Sequence, residues 1–302
     1  MPTAAEDVTA VVLNWKDTER TTRCIASLLG PGGPGEVILV DNESEGLLRG
    51  LSDRFPPGKV RLIESRQNLG FAAGINFGLA ARRPGTRYLL VINNDAELLP
   101  GCLPALLVAA CQDPRAGLFA PVVLNSDGSV QSAGERFWPL AASVRAVRPG
   151  YHPDYLTFAC VLVPVSTLEQ IGMLDEGFFM YWEDVEYGMR CRRQGLRLAV
   201  VPDALVRHEL SASHGKASRW IDLYSMMGLA VLARRMGGTA YAGLGWRLLL
   251  RLGKRLAQGD LVACRFVLRG LALGMFPPHP VGHIGVNRLR NGPVPSDETG
   301  AA

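Results

Sequence analysis

The sequence predicts an α/β fold, a mostly parallel sheet flanked by helices, with a helical segment after it. Three observations carry this. Short apolar runs near residues 10–14, 37–41, 60–63 and 88–92 have the length of buried strands, and three of them run straight into Asn or Asp. Helix-type segments separate the first from the second and the third from the fourth, as β–α–β units require. Residues 215–276 then change character: ten Lys/Arg stand against two Asp, a local balance of +8, while residues 1–214 carry −4.

The 302 residues suffice for one large domain or two, and 48% hydrophobic with 20% charged residues is a globular composition. The six cysteines form no C-x-x-C pair, which excludes the usual zinc spacing and leaves reduced thiols as the expectation. The first residues lack the basic and apolar regions of a secretion signal, and no apolar run reaches about 18 residues. A cytoplasmic location with no ordinary spanning helix is therefore expected.

In chain order, the strand at 10–14 leads to Asp17 and Thr18, which can cap a helix ended by Gly30-Pro31-Gly32-Gly33. The strand at 37–41 closes on Asp41, at the carboxyl edge where open α/β sheets bind ligands. After the strand at 60–63, Gly70, Gly74 and Gly78 recur every four residues and make one smooth helical face. That face suits either close packing on a sheet or close approach of a nucleotide. The strand at 88–92 ends in Asn93-Asn94-Asp95, a hard-oxygen site suited to Mg²⁺ or Mn²⁺ bridging a diphosphate. A helix at 100–111, a strand at 118–124 and a hairpin through Asn125–Gln131 follow. Residues 135–154 read as a loop able to close over substrate, 156–165 as a strand, 196–201 and 206–208 as short strands about a turn at Pro202-Asp203.

Residues 178–193 are the most informative stretch. Four aromatics, Phe178, Phe179, Tyr181 and Trp182, run into Glu183-Asp184, and these acids open an amphipathic helix whose last turn holds Arg190, Arg192 and Arg193. Glu186 and Arg190 form an i,i+4 pair. Neighbouring helical residues point about 100° apart, so one acid can anchor the structure while the other enters a cleft. A carboxylate there could take a proton from a sugar hydroxyl, with an aromatic ring beneath the sugar. The helix dipole would lower the pKa of Asp184 and burial would raise it.

Taken in order, Asp41, the segment 68–76, Asn93-Asn94-Asp95 and Trp182-Glu183-Asp184 resemble the family 2 glycosyltransferases with the GT-A nucleotide-diphospho-sugar transferase fold, especially the bacterial rhamnosyltransferase-like branch. The resemblance covers about residues 8–212. It implies an inverting transferase with Asp184 as general base beside Glu183, and a metal held by Asp95 and His208, with His214 a weaker ligand. It further implies a donor pocket of Asn14, Asp41, Asn68, Gly70, Gly74, Asn76 and Asn94, and Tyr181 and Trp182 toward the acceptor. Asn93 departs from the acid expected at the first position of the D-x-D motif, which leaves fewer charges for the cation. The implied donor is a dTDP- or UDP-sugar, with dTDP-L-rhamnose favoured, and the implied acceptor a glycan or polyprenyl-linked sugar. A nucleic-acid partner is not expected. The rival reading is a non-catalytic nucleotide-sugar or glycan-binding protein with a degenerate metal site.

The expected domains are 1–214, catalytic; 215–276, basic and amphipathic; and 277–302, a flexible tail. The middle segment alternates Trp and Leu with Arg and Lys. It reads as interfacial helices on the inner face of the cell membrane or as a bundle packed on the catalytic domain. Assembly with a second copy, as a homo-oligomer, is compatible with either.

Overall fold

The computed structural model describes residues 5–43, 46–147, 152–209 and 218–277. The expected tail, apart from Pro277, lies outside them, as does His214. Strand β1 (Val8–Asn14) pairs in parallel with β2 (Glu36–Asn42) and with β4 (Tyr88–Asn93), and β2 pairs in parallel with β3 (Val60–Ser65). Helices α1 (Thr18–Leu28) and α2 (Gly70–Ala80) make the β1–β2 and β3–β4 crossovers. The strand order β3-β2-β1-β4 therefore reverses between β1 and β4. Ligands of open α/β sheets gather at such a switch point.

Beyond β4 the sheet becomes mixed. It continues through β10 (Cys160–Pro164), which is antiparallel to β4, to β6 (Ala116–Leu124), β11 (Arg197–His208) and β5 (Ala96–Leu98), while β7 (Val130–Ser132) pairs with β6. Three expectations are corrected. The strand expected at 156–165 is confined to 160–164, because Pro164 stands at the N-cap of helix α4 (Val165–Ile171). The turn at 202–203 is a bulge inside the continuous strand β11, whose pairing with β6 slips between Val201 and Leu205. The loop expected at 135–154 contains a hairpin of β8 (Glu135–Trp138) and β9 (Ser143–Ala146).

Apolar side chains of the central strands alternate between two cores. Val11, Val40 and Val91 face α2 and α5 (Glu183–Arg193), whereas Ala10, Leu39 and Ile92 face α1 and α3 (Cys102–Gln112). The glycine face of α2 is explained by packing. A side chain at Gly74 would run into Leu13, and one at Gly78 into Val11 and Val40.

The C-terminal helices α6 (Ser218–Met236), α7 (Thr239–Ala257) and α8 (Leu261–Met275) do not form a separate body. Met226, Leu229, Ala230 and Leu232 of α6 belong to the same core as α2 and α5, so the boundary expected at 214 does not divide the core. Gly270 and Gly274 let α8 press against the α6 backbone at Leu223 and Met227. Much of the basic charge is neutralised locally: Arg251 and Arg255 pair with Asp222, Arg219 with Asp260, and Arg235 with Asp175.

Candidate active site

Strand register sets the first half of the site. Asn14 is the cross-strand partner of Asp41, and Leu13 that of Asn93, so the carboxyl ends of β4, β1 and β2 bring Asn93, Asn14 and Asp41 into one row. Asp41 is 2% exposed. The Asn14 side-chain oxygen accepts from Thr21 at 2.7 Å and from Asn94 at 3.4 Å, and Asn94 also donates to Thr21. This net ties the start of α1, capped by Asp17, to the end of β4.

Other residues expected to hold the donor are used structurally. The amide of Asn42 donates to Asn68 and to the Gly70 carbonyl, while its oxygen accepts from Leu69; these bonds shape the entry into α2. Gly70, at φ +79°, lies under Phe179. Asn76 donates to the Leu174 carbonyl and to Glu176 and accepts from Leu174, so it anchors the approach to α5. Gly70 and Asn76 thus brace the approach to Glu183, while Asn68 shapes the entry into α2 and Gly74 packs on Leu13.

Asp95 and His208 meet. The His208 Nε2 lies 3.0 Å from Asp95 Oδ1, and its Nδ1 lies 2.7 Å from Gln131 Oε1. If Nδ1 donates to the Gln131 oxygen, the neutral ring turns the Nε2 lone pair toward the carboxylate, a convergence of two metal-type donors. Two ligands at right angles on a cation, each about 2.1 Å away, stand about 3.0 Å apart. The pair therefore fits Mg²⁺ or Mn²⁺, with the Asn93 amide 3.5 Å from Nε2. Two protein ligands with room for water and diphosphate are the sparse set that such ions accept. Gln131, read in the sequence only as a hairpin arm, is the orienting residue. β7 pairing on β6 places it, and no local motif marks it.

The second half of the site is built under strain. Tyr181 and Trp182 adopt φ of +70° and +74°, left-handed values unusual for large side chains. Helix α6 holds them there. Gly228 leaves room for the Tyr181 carbonyl, and the Trp182 indole N–H donates to the Ser225 carbonyl at 3.1 Å. The Trp182 ring packs edge-on to Phe137, with centroids 5.8 Å apart. This aromatic, expected as a platform for the acceptor, is thus largely spent on fixing the turn.

Behind the turn, α5 carries the acids. Glu183 is buried, and its Oε2 has no hydrogen-bond partner among the described residues. Asp184 is half-buried and accepts from the N–H of Val185 at 2.8 Å. Burial wins over the helix dipole. Desolvation, followed by the neighbouring charge of Asp184, pushes Glu183 up to about 8; desolvation also pushes Asp184 up to about 7, with Glu135 adding repulsion. Glu135 is itself raised by burial, and its Oε2 has no hydrogen-bond partner among the described residues. It went unnoticed in the sequence because 135–154 reads as a loop.

The α5 body is clamped on both sides. Arg190 holds Glu186 at 2.8 Å, as its spacing predicts, and also donates to the Ile171 and Met173 carbonyls. Gly188 lets Asp154 and Tyr155 cross closely over the helix, and Asp154 binds both Arg192 and the N–H of Phe137.

The two halves are joined by one short segment. Gln131 touches His208, Ser132 hydrogen-bonds Glu135, and Glu135 acts on Asp184. Four residues of extended chain span at most about 14 Å, so one short stretch of chain reaches both the cation pair and the acid pair.

The family model described as glycosyl transferase family 2 matches residues 9–172. An N-acetylglucosaminyl-diphospho-decaprenol L-rhamnosyltransferase of Mycobacterium tuberculosis is 32% identical over 271 residues, covering 79% of this chain and 88% of that protein. A mannosyltransferase of Pyrobaculum calidifontis, solved with GDP-Man and Mn²⁺, superposes with a TM-score of 0.56 at 16% identity, over 92% of this chain and 83% of that one. GalNAc-T7, solved with UDP, GalNAc and Mn²⁺, gives a TM-score of 0.57 at 15% identity, over 74% of this chain and 50% of that one. The shared architecture is the GT-A fold.

Proposed function

The chain belongs to glycosyl transferase family 2, and from that premise we propose that it moves L-rhamnose from dTDP-L-rhamnose to a hydroxyl of a polyprenyl-diphosphate-linked sugar, with inversion at the anomeric carbon. The glycosyltransferase class follows from the family, and the name of the mycobacterial relative supports the choice of donor sugar and acceptor. One observation carries the mechanism: the segment 131–135 links the Asp95–His208 pair to a base held near neutrality.

In this reading Asp41 and Asn14 take the base and ribose of the donor. Asp95 and His208 would hold Mg²⁺ or Mn²⁺, which when bound supplies positive charge against the departing diphosphate. Asp184 accepts the proton of the acceptor hydroxyl as that oxygen attacks the anomeric carbon. Its pKa, pushed up to about 7, keeps it basic enough to hold that proton yet substantially ionised at neutral pH. Glu183 and Glu135 keep the pocket unfavourable for a fixed negative charge. Tyr181 borders the acceptor side, and Trp182 fixes its position. A base tuned in this way favours turnover over a purely binding role.

Thermal unfolding with dTDP, UDP and GDP, each with and without Mn²⁺, tests the site. Saturation at about 100 times Kd adds about 2.7 kcal/mol, so dTDP with Mn²⁺ should raise the Tm by several degrees. Asp95→Ala should lose the Mn²⁺-dependent part and keep the remainder. Equal stabilisation of the variant and the native chain would remove the cation from Asp95. A larger rise with UDP or GDP would overturn the dTDP assignment.

A further inference from the structure

The packing of the C-terminal helices leaves one part of the molecule unexplained by catalysis. Helix α6 is enclosed, but α7 and α8 each present an apolar face to solvent. Trp246, Leu249, Leu250 and Leu256 are exposed on α7, Leu249 by 66%, and Leu261 and Leu268 are exposed on α8. They follow helical spacing and form stripes rather than isolated residues. The stripe on α7 continues onto the β8–β9 hairpin, because Gly243 seats α7 directly against the Pro139 carbonyl. There Trp138 and Leu140 are also exposed, Leu140 by 65%. Contiguous apolar surface of this kind marks a docking face.

The charges bordering it identify the occupant. Lys254, Arg265 and Arg269 stand exposed among the apolar residues, and Arg145 lies over the Trp138 ring. Helices α7 and α8 contain no Asp or Glu; Asp260, between them, caps α8 and pairs with Arg219. A second copy would use the same patch on both sides and set these cations against one another. Anionic lipid headgroups complement them, while the Trp and Leu side chains reach the acyl boundary. Among the described residues no helix is long and apolar enough to cross a membrane, so the contact is with one leaflet.

We propose that the exposed face of α7 and α8, extended by the turn of the β8–β9 hairpin, docks this enzyme on the surface of an anionic bilayer. Docking there brings the membrane close to the acid-bearing turn, because α7 touches the hairpin while Arg251 of α7 and Trp182 both bind Ser225. The proposal does not depend on which sugar is transferred.

Flotation of the full chain with vesicles of pure phosphatidylcholine, or of phosphatidylcholine with phosphatidylglycerol, tests it. Binding should require the anionic lipid and weaken as salt rises. Each cation near such a surface contributes about five-fold, so Arg265→Gln with Arg269→Gln should weaken binding about 25-fold. Leu249→Ser with Leu250→Ser should weaken it at every salt concentration. Both variants should keep the native thermal unfolding profile and dTDP affinity, which separates loss of docking from loss of fold. Native binding by both double variants, or no flotation of the native chain at low salt, would overturn the proposal. So would a dimer in light scattering that Leu249→Ser with Leu250→Ser converts to monomer, since that face would then hold a second copy.

Discussion

The carboxyl edge of the sheet and the turn that enters α5 are connected through the segment 131–135 but are built on opposite principles. At the edge, polar groups are grouped and oriented: Asn14, Thr21 and Asn94 bond one another, and His208 is oriented by Gln131 beside Asp95. At the turn, two large residues sit at left-handed φ, and two buried carboxyl oxygens, on Glu183 and Glu135, have no hydrogen-bond partner among the described residues. Oriented groups recognise a ligand that arrives already charged. A group that must take a proton during the reaction works better where water and partners do not already stabilise its charge. On the proposed function, recognition and reactivity fall to two kinds of environment.

The largest effect should come from removing the base. A positioned base contributes about 10²–10⁴-fold, so Asp184→Asn should lower kcat by that factor while dTDP-sugar affinity stays within a few-fold. Near-native turnover by Asp184→Asn, with Glu183→Gln dead, would move the base by one residue. Next is Gly228→Ala, whose new methyl would meet the Tyr181 carbonyl. Overpacking of this kind costs about 1–3 kcal/mol, to be read from urea unfolding. If the two halves are separately built, kcat should fall and nucleotide Kd hold; parallel losses would join them into one unit.

The smallest effect concerns charge. The rate should rise with pH through about 7 as Asp184 ionises. Glu135 raises Asp184 by repulsion, so Glu135→Gln should move the acid limb of kcat/KM to lower pH. An unmoved limb would place Glu135 outside the field of the base.

The chain by itself determined the sheet edge, because each of its groups depends on local pattern. The apolar runs end in Asp41 and in Asn93-Asn94-Asp95, Asp17 caps α1, and Gly74 and Gly78 thin α2 where it lies on β1. Short-range periodicity and capping suffice to place such residues. The chain also presented Glu183 and Asp184 at the head of α5, but it left open whether burial or the helix dipole would govern them. Only the tertiary structure decided that, because desolvation depends on what covers a residue. Here the surroundings come from far along the chain: Glu135, whose charge acts on Asp184, lies 49 positions before it, and Ser225 and Gly228, which hold the adjoining Tyr181-Trp182 turn, lie more than 40 after it. The same holds for the basic segment. Its sequence pattern reads as membrane-facing helices, with a packed bundle as the alternative. Packing buries α6 in the core and leaves apolar side chains of α7 and α8 exposed, which no local pattern could have separated.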